Sequence, residues 1–160
     1  MQLEWPSKTI GVKVRVEILY EEIKADEGEV LEIYLDHLGY PTFGVGHLIK
    51  RGDPEEGKPV GTAITGERSR EAFEVDIWTA IDDCEQLYGN DFGFWPEEVQ
   101  HVLINMMFNM GRTRMGKFKK MNAHLACKEW SNAAVEGRDS LWYKQVTNRA
   151  ERLMTRLENV

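Results

Sequence analysis

Val12, Val14 and Val16 alternate with Lys13, Arg15 and Glu17, and this period of two predicts a short strand or extended arm at the start of the chain. From Ile18 the spacing changes. Ile18, Leu19 and Ile23 recur at helical intervals up to Gly28. A glycine just past the last helical turn takes the left-handed conformation that stops a helix. Residues 31–35 and 42–45 read as two strands around a turn at 36–39. Successive strand positions face opposite sides, so Thr42 points away from Phe43 and Val45, and toward a cleft if those two face a core.

Residues 51–61 form a polar loop with two prolines and three glycines. Thr65 then caps a long helix that carries Ala72, Phe73, Ile77, Ala80, Ile81 and Cys84 along one face. The Gly89-Asn90-Asp91 run closes it. After Pro96 the pattern is helical throughout, with helices predicted at 99–110, 121–127, 130–137 and 148–157. The fold class is therefore α+β. The expected organisation is an N-terminal arm (1–16), a small α+β lobe (17–64), a connecting helix (65–88) and an all-helical C-terminal lobe (89–160). Clefts between lobes are favoured binding sites.

Composition narrows the function. With 160 residues, 42% of them hydrophobic and 10% aromatic, the chain supports one packed domain rather than disorder. A formal net charge of −7 argues against generic nucleic-acid binding, which draws most of its affinity from a basic footprint. Two cysteines, Cys84 and Cys127, make no disulfide framework. They read as two buried free thiols, with a single bridge left open. The first sixteen residues hold Lys8, Lys13 and Arg15 and no continuous apolar stretch, unlike a signal peptide. No apolar run reaches membrane-spanning length; residues 102–108 are the longest and belong in a core. The expected product is made in the cytoplasm without its own export signal and does not insert into a membrane.

The chemistry concentrates between Asp26 and His47. Glu27 stands at a helix C-terminus, where the backbone dipole disfavours a carboxylate and favours the protonated form that a general acid needs; an ordinary solvated glutamate is the bland alternative. Asp36 opens a turn, where aspartate commonly bonds to backbone amides; as a functional group it would orient or activate water. Thr42 follows Pro41 in a strand, where threonine packs well, and its hydroxyl could hold that water. Gly44 and Gly46 flank Val45 and mark a bulge or a close backbone approach. His47, His37, His101 and His124 form no ligand pattern, so neither zinc nor a cofactor is expected. His47 instead reads as the structural partner of Asp76 on the long helix. Arg149, in the first turn of the last helix, opposes the dipole, and a buried acid such as Glu27 would serve as its partner. Trp142 and Tyr143 read as core. Asn105, Phe108 and Asn109 lie three or four residues apart on one helix, so one of the two asparagines could edge the cleft.

In this order the pieces resemble the phage lysozymes of the T4 lysozyme type. The resemblance is carried by Asp26-Glu27-Gly28, by Ile33-Tyr34 with Asp36, and by Gly39-Tyr40-Pro41-Thr42-Phe43-Gly44-Val45-Gly46-His47. It continues through residues 105–111, Trp142-Tyr143 and Asn148-Arg149-Ala150, and residues 137–143 look especially like the lysozyme domain of phage tail baseplates. The resemblance implies a two-lobed lysozyme-like fold. It also implies hydrolysis of the β-1,4 bond between N-acetylmuramic acid and N-acetylglucosamine in peptidoglycan, with inversion. By the same resemblance Glu27 is the general acid, Asp36 positions or activates the water, and Thr42 helps hold it. His47 with Asp76 becomes a structural ion pair, Arg149 the partner of Glu27, and Asn105 and Trp142 supports. Leu48, Phe108, Asn109, Met121 and Glu136 fall at glycan-contact positions, the last two where family members offer polar, uncharged groups.

The glycan strands are thus the expected partner of a monomeric catalytic unit, acting at the periplasmic wall. An acidic enzyme gains little from electrostatic steering toward an anionic wall, which favours delivery by a phage tail protein over free diffusion; release through a holin-type pore is the other route. Two rivals stand. A lytic transglycosylase needs one acid and not Asp36 or Thr42, and a non-catalytic structural or glycan-binding module of a phage tail needs none of them.

Overall fold

The computed structural model describes residues 14–160, so the strand or arm expected from Val12 onward lies largely outside the described residues. Val14 and Arg15 belong to no regular element, and the first helix, α1, already begins at Val16 (Val16–Glu27). Val16 and Glu17 are helical rather than extended, because the helix absorbs the end of the alternating run.

Two compact units emerge from the packing. The first is residues 16–77. Its helix α1 buries Leu19 and Ile23 completely, a pair four residues apart on one face. Ile18, expected beside them, is exposed, since one residue along a helix turns it about 100° off that stripe. Gly28 ends α1 with φ +77°, and its N–H donates to the Lys24 carbonyl at 2.8 Å. Three antiparallel strands follow in the order β1 (Val30–Leu35), β2 (Pro41–Gly44) and β3 (His47–Leu48). The register pairs Val30 with Gly44, Tyr34 with Thr42, and Leu35 with Pro41, with an irregularity between Val30 and Tyr34. On its other side β1 meets the end of the polar loop, where Ile33 donates to the Thr62 carbonyl and Ile64 to that of Leu31. Ile33, Phe43, Ile64 and Ala72 form the core beneath the sheet, with Ile49 against it. Burying a side chain of the size of Phe43 contributes about 1.5–3 kcal/mol.

Helix α2 (Gly66–Tyr88) is capped by Thr65, whose hydroxyl accepts from the Arg68 N–H at 3.0 Å. Ala72, Phe73, Ile77, Ala80, Ile81 and Cys84 are all buried along it.

The second unit comprises Trp78–Val160 together with the described residues Val14 and Arg15. A 3-10 segment (Gly89–Phe94) leads into α3 (Glu97–Met115), α4 (Lys119–Ala126), α5 (Trp130–Arg138), α6 (Leu141–Gln145) and α7 (Thr147–Glu158). Helix α3 runs five residues past its expected end because the chain resumes helical geometry after a break at Gly111 (φ 81°, ψ 165°). The short α6 departs from the sequence expectation; Ser140 caps it by accepting from the Tyr143 N–H. Val99 to Met107 are buried in sequence along α3, and Ala150, Leu153, Met154 and Leu157 along α7. Gly137 permits the close packing of α5, because a Cβ there would collide with the Met154 sulfur. Tyr88, Phe92, Trp95 and Trp130 form an aromatic chain with ring centres 5.3–6.1 Å apart.

The two thiols have different fates. Cys84 is buried and Cys127 exposed, both free, so the expectation of two buried thiols fails at Cys127. It stands just past the end of α4, off the buried Met121–Leu125 stripe.

Candidate active site

Three features of the first unit bring the acid-bearing segment together. The stop at Gly28 leaves Glu27 exposed on the last residue of α1. A Cβ built on Gly46 would stand 3.7 Å from Glu27 Oε2, an ordinary contact distance, so this glycine borders that carboxyl. The turn after β1 is organised by Asp36, whose Oδ1 accepts from the N–H groups of Leu38 and Tyr40, both at 2.9 Å.

The Asp36 N–H and the Thr42 hydroxyl then converge on one atom. Each donates to the Tyr40 carbonyl at 2.9 Å. Thr42 is buried, at 4% exposure, rather than facing openly outward, and its hydroxyl proton is used locally. With that proton spent, Thr42 Oγ1 faces any further ligand as an acceptor. Asp36 likewise commits Oδ1 to backbone amides, which leaves Oδ2 for a ligand proton. Tyr34 belongs to this group and was missed from the sequence. Burial first, then the charges of Glu27 and Asp36, push its hydroxyl above the usual tyrosine range. Its register partner is Thr42, a pairing that strand alignment could have revealed.

Behind the strands lies a charged cluster. His47 Nδ1 is 2.7 Å from Asp76 Oδ2, and Nε2 is 2.8 Å from Asp53 Oδ2. Burial pulls the His47 pKa down, but the hydrogen bonds and charges of Asp76 and Asp53 outweigh it and raise it above the ordinary value. Asp53, for which the sequence offered no signal, is pushed up by burial and more strongly pulled down by the Lys50 N–H, by His47 and by Arg68. Arg68 in turn grips the buried Glu55 through two bonds of 2.9 Å. The polar loop is thereby pinned to α2. Leu48 follows His47 and is exposed.

The second unit holds the other candidates. Asn105 is fully buried; its Oδ1 accepts from Arg149 Nε at 2.9 Å, and Arg149 is itself only 8% exposed. Asn109 Oδ1 accepts from the indole N–H of the buried Trp142 at 2.8 Å, and Phe108 is half-buried next to it. Met121 is buried and Glu136 half-buried. Both line a surface recess of about 350 Å³ with Phe118, Asp139, Ser140 and three lysines, Lys117, Lys119 and Lys120. Among the described residues no three His, Cys, Asp or Glu side chains gather as a metal site would, and no helix is long and apolar enough to cross a membrane.

Comparison with known proteins adds the family. The sequence model described as phage lysozyme matches residues 24–159. The chain is 34% identical over 151 residues to the pre-baseplate central spike protein Gp5 of Enterobacteria phage T4, covering 83% of this chain and 26% of that protein. It is 32% identical over 165 residues to the probable T4-type lysozyme 2 of Dictyostelium discoideum, covering 89% of this chain and 95% of the relative. A third relative, the peptidoglycan hydrolase gp36 of Pseudomonas phage phiKMV, is 31% identical over 128 residues, which cover 79% of this chain and 13% of that protein. The chain thus spans about a quarter of the spike protein and nearly all of the amoebal one.

Proposed function

Because the chain belongs to the phage lysozyme family, we propose that it is a peptidoglycan hydrolase of the muramidase type, cleaving the β-1,4 bond between N-acetylmuramic acid and N-acetylglucosamine with inversion. In this reading Glu27 gives its proton to the glycosidic oxygen as the bond to the anomeric carbon breaks. A water held by Thr42 Oγ1 attacks that carbon from the opposite face and passes its proton to Asp36. The convergence of the Asp36 amide and the Thr42 hydroxyl on the Tyr40 carbonyl carries the proposal. It fixes a carboxylate and a hydroxyl acceptor on one rigid turn, which is what water activation needs and what a transglycosylase, using the substrate's own hydroxyl, does not. Leu48 on the sheet unit and Phe108, Asn109, Met121 and Glu136 on the helical unit are proposed as glycan contacts.

The test is clearing of permeabilised Gram-negative cells by the wild type and by Glu27→Gln. Loss of a positioned general acid costs about 100- to 10,000-fold, so the variant should leave turbidity unchanged on the wild-type timescale. Equal clearing would remove Glu27 from the mechanism. Mass spectrometry of the products separates hydrolysis from its rival, since anhydromuramic ends would identify a transglycosylase. The anomeric proton signal of freshly cut fragments decides inversion. The likeness to a baseplate spike and the net charge of −7 favour delivery within a tail assembly over free diffusion.

A further inference from the structure

Glu29, two residues beyond Glu27, takes no part in the proposed chemistry, yet its carboxylate is a hub. Its side chain is only 17% exposed. One oxygen, Oε2, accepts both from the Tyr20 hydroxyl of α1 at 3.1 Å and from the Ser69 hydroxyl of α2 at 2.9 Å. The other oxygen lies 3.9 Å from Lys24 Nζ. Tyr20 itself has the Arg70 guanidinium 4.1 Å over its ring and Phe73 packed edge-to-face with it, ring centres 5.0 Å apart. Burial, and then the charge and hydrogen bond of Glu29, push the Tyr20 hydroxyl above its usual range, so it remains a donor at neutral pH.

The second donor reaches further. Ser69 is completely buried, and a Cβ on Gly44 would fall 2.7 Å from its hydroxyl oxygen. The β2 backbone therefore rests directly on Ser69. Gly44 pairs across the sheet with Val30, the residue after Glu29, and two residues on from Gly44 comes Gly46, which borders the Glu27 carboxyl. Contacts thus close a circuit from Glu29 through Ser69, Gly44 and Gly46 back to Glu27.

We propose that Glu29 is a positioning residue for Glu27: through Tyr20 and Ser69 it locks the junction of α1 and β1, and the Gly44–Gly46 turn beside it, so that the Glu27 carboxyl is held in one orientation. The proposal rests on Glu27 being the general acid. Displacement of a reacting group by about 1 Å costs on the order of 100-fold in rate, so a junction without its clamp should show in kcat rather than in KM.

The experiment compares the wild type with Glu29→Gln, Glu29→Leu, Ser69→Ala and Glu27→Gln. It combines hydrolysis kinetics on purified peptidoglycan, thermal unfolding, and carbon-13 NMR of the glutamate carboxyls, with Glu27 assigned by its absence in Glu27→Gln. An amide oxygen can accept from both hydroxyls, so Glu29→Gln should stay within about threefold of the wild-type kcat, whereas Glu29→Leu and Ser69→Ala should fall about tenfold or more at nearly constant KM. In those two variants the Glu27 carboxyl signal should broaden or split while the protein remains folded at the assay temperature. Ser69→Ala serves if Glu29→Leu does not fold. A single, unmoved Glu27 signal in the variants lacking the clamp overturns the positioning role, whatever the activity. A Glu27→Gln variant as active as the wild type instead overturns the assignment of the general acid, while the carboxyl signals still decide whether Glu29 orders the Glu27 side chain.

Discussion

Replacing Asp76 by asparagine should weaken the protein most at mildly acid pH and least at alkaline pH. His47 is 3% exposed and gives each ring nitrogen to a carboxylate, at 2.7 Å to Asp76 and 2.8 Å to Asp53. Charged hydrogen bonds contribute about 1.5–3 kcal/mol each and neutral ones about 0.5–1.5. Asp76→Asn keeps an oxygen for Nδ1–H but removes the charge, a loss of about 1–1.5 kcal/mol by that difference. The Lys50–Asp76 pair is lost as well, but its lysine is half exposed and it adds less than about 1 kcal/mol. The total is about 2 kcal/mol at pH 5.5, or roughly 4–8 °C in Tm for a chain of this size. The pH dependence follows from His47, whose folded pKa is raised. Its contribution is fully present below the unfolded value of about 6.5 and fades as pH climbs through the higher folded one. Asp53 is lowered, so its stabilisation is lost only as pH falls through that depressed value, and it stays ionised across the window. Urea unfolding of both proteins at pH 5.5, 6.5, 7.5 and 8.5, at constant ionic strength, measures the gap. A gap independent of pH, or one that widens toward pH 8.5, refutes the doubly paired imidazolium.

Thiol titration with a disulfide reagent should count one fast group, Cys127, in the native protein and two in denaturant; Cys84 is buried, and burial, with the charges of Asp83 and Glu85 added, holds its thiol well above the ordinary range. Two fast native thiols would contradict that environment. Gly44→Ala must place a side chain at φ +65° and within 2.7 Å of Ser69 Oγ, so backbone strain of about 1–2 kcal/mol adds to a disturbed Ser69–Glu29 bond. Gly52→Ala, also at positive φ but in open space, should cost only the strain, and equal denaturation midpoints for the two would remove the steric argument. Asn105→Ala removes one of the acceptors of a nearly buried guanidinium and should cost about 1–3 kcal/mol in urea unfolding; no change would mean that Arg149 does not depend on it.

The parts of the fold that were legible share a cause: each is written in adjacent residues. Gly28 stops α1 because a left-handed residue is needed there, Thr65 caps α2 because its hydroxyl reaches the third N–H onward, and the buried face of α2 repeats at helical spacing. Where only two or five residues form an element, no period exists to read. So β3 and α6 were both missed, although Ser140 caps the latter. Ile18 and Cys127 show the limit of a hydrophobicity rule without angular position, since Ile18 sits one residue off a buried stripe and Cys127 two residues past the last buried position of one.

For the candidate site the same division decides what is visible and what is not. Asp36 taken alone reads as a turn residue, and it is one: its Oδ1 holds two backbone amides. The turn role and the proposed chemical role occupy different oxygens, so the bland and the functional readings of this residue were never alternatives. The same holds for Thr42, whose proton is spent on the Tyr40 carbonyl and whose oxygen is thereby oriented as an acceptor. A local motif can show that such residues are present, but the hydrogen bonds that orient them are made by the turn and the strand register. The partners that come from distant segments leave no trace in either. Asp53 reaches His47 from a loop of no period, and Ser69 reaches Glu29 across forty residues. A carboxylate two positions from the proposed general acid is thus invisible as a clamp until α2 is folded against the sheet, which is why Glu29, and not another member of the acid-bearing motif, is the residue on which the structure adds most to the sequence.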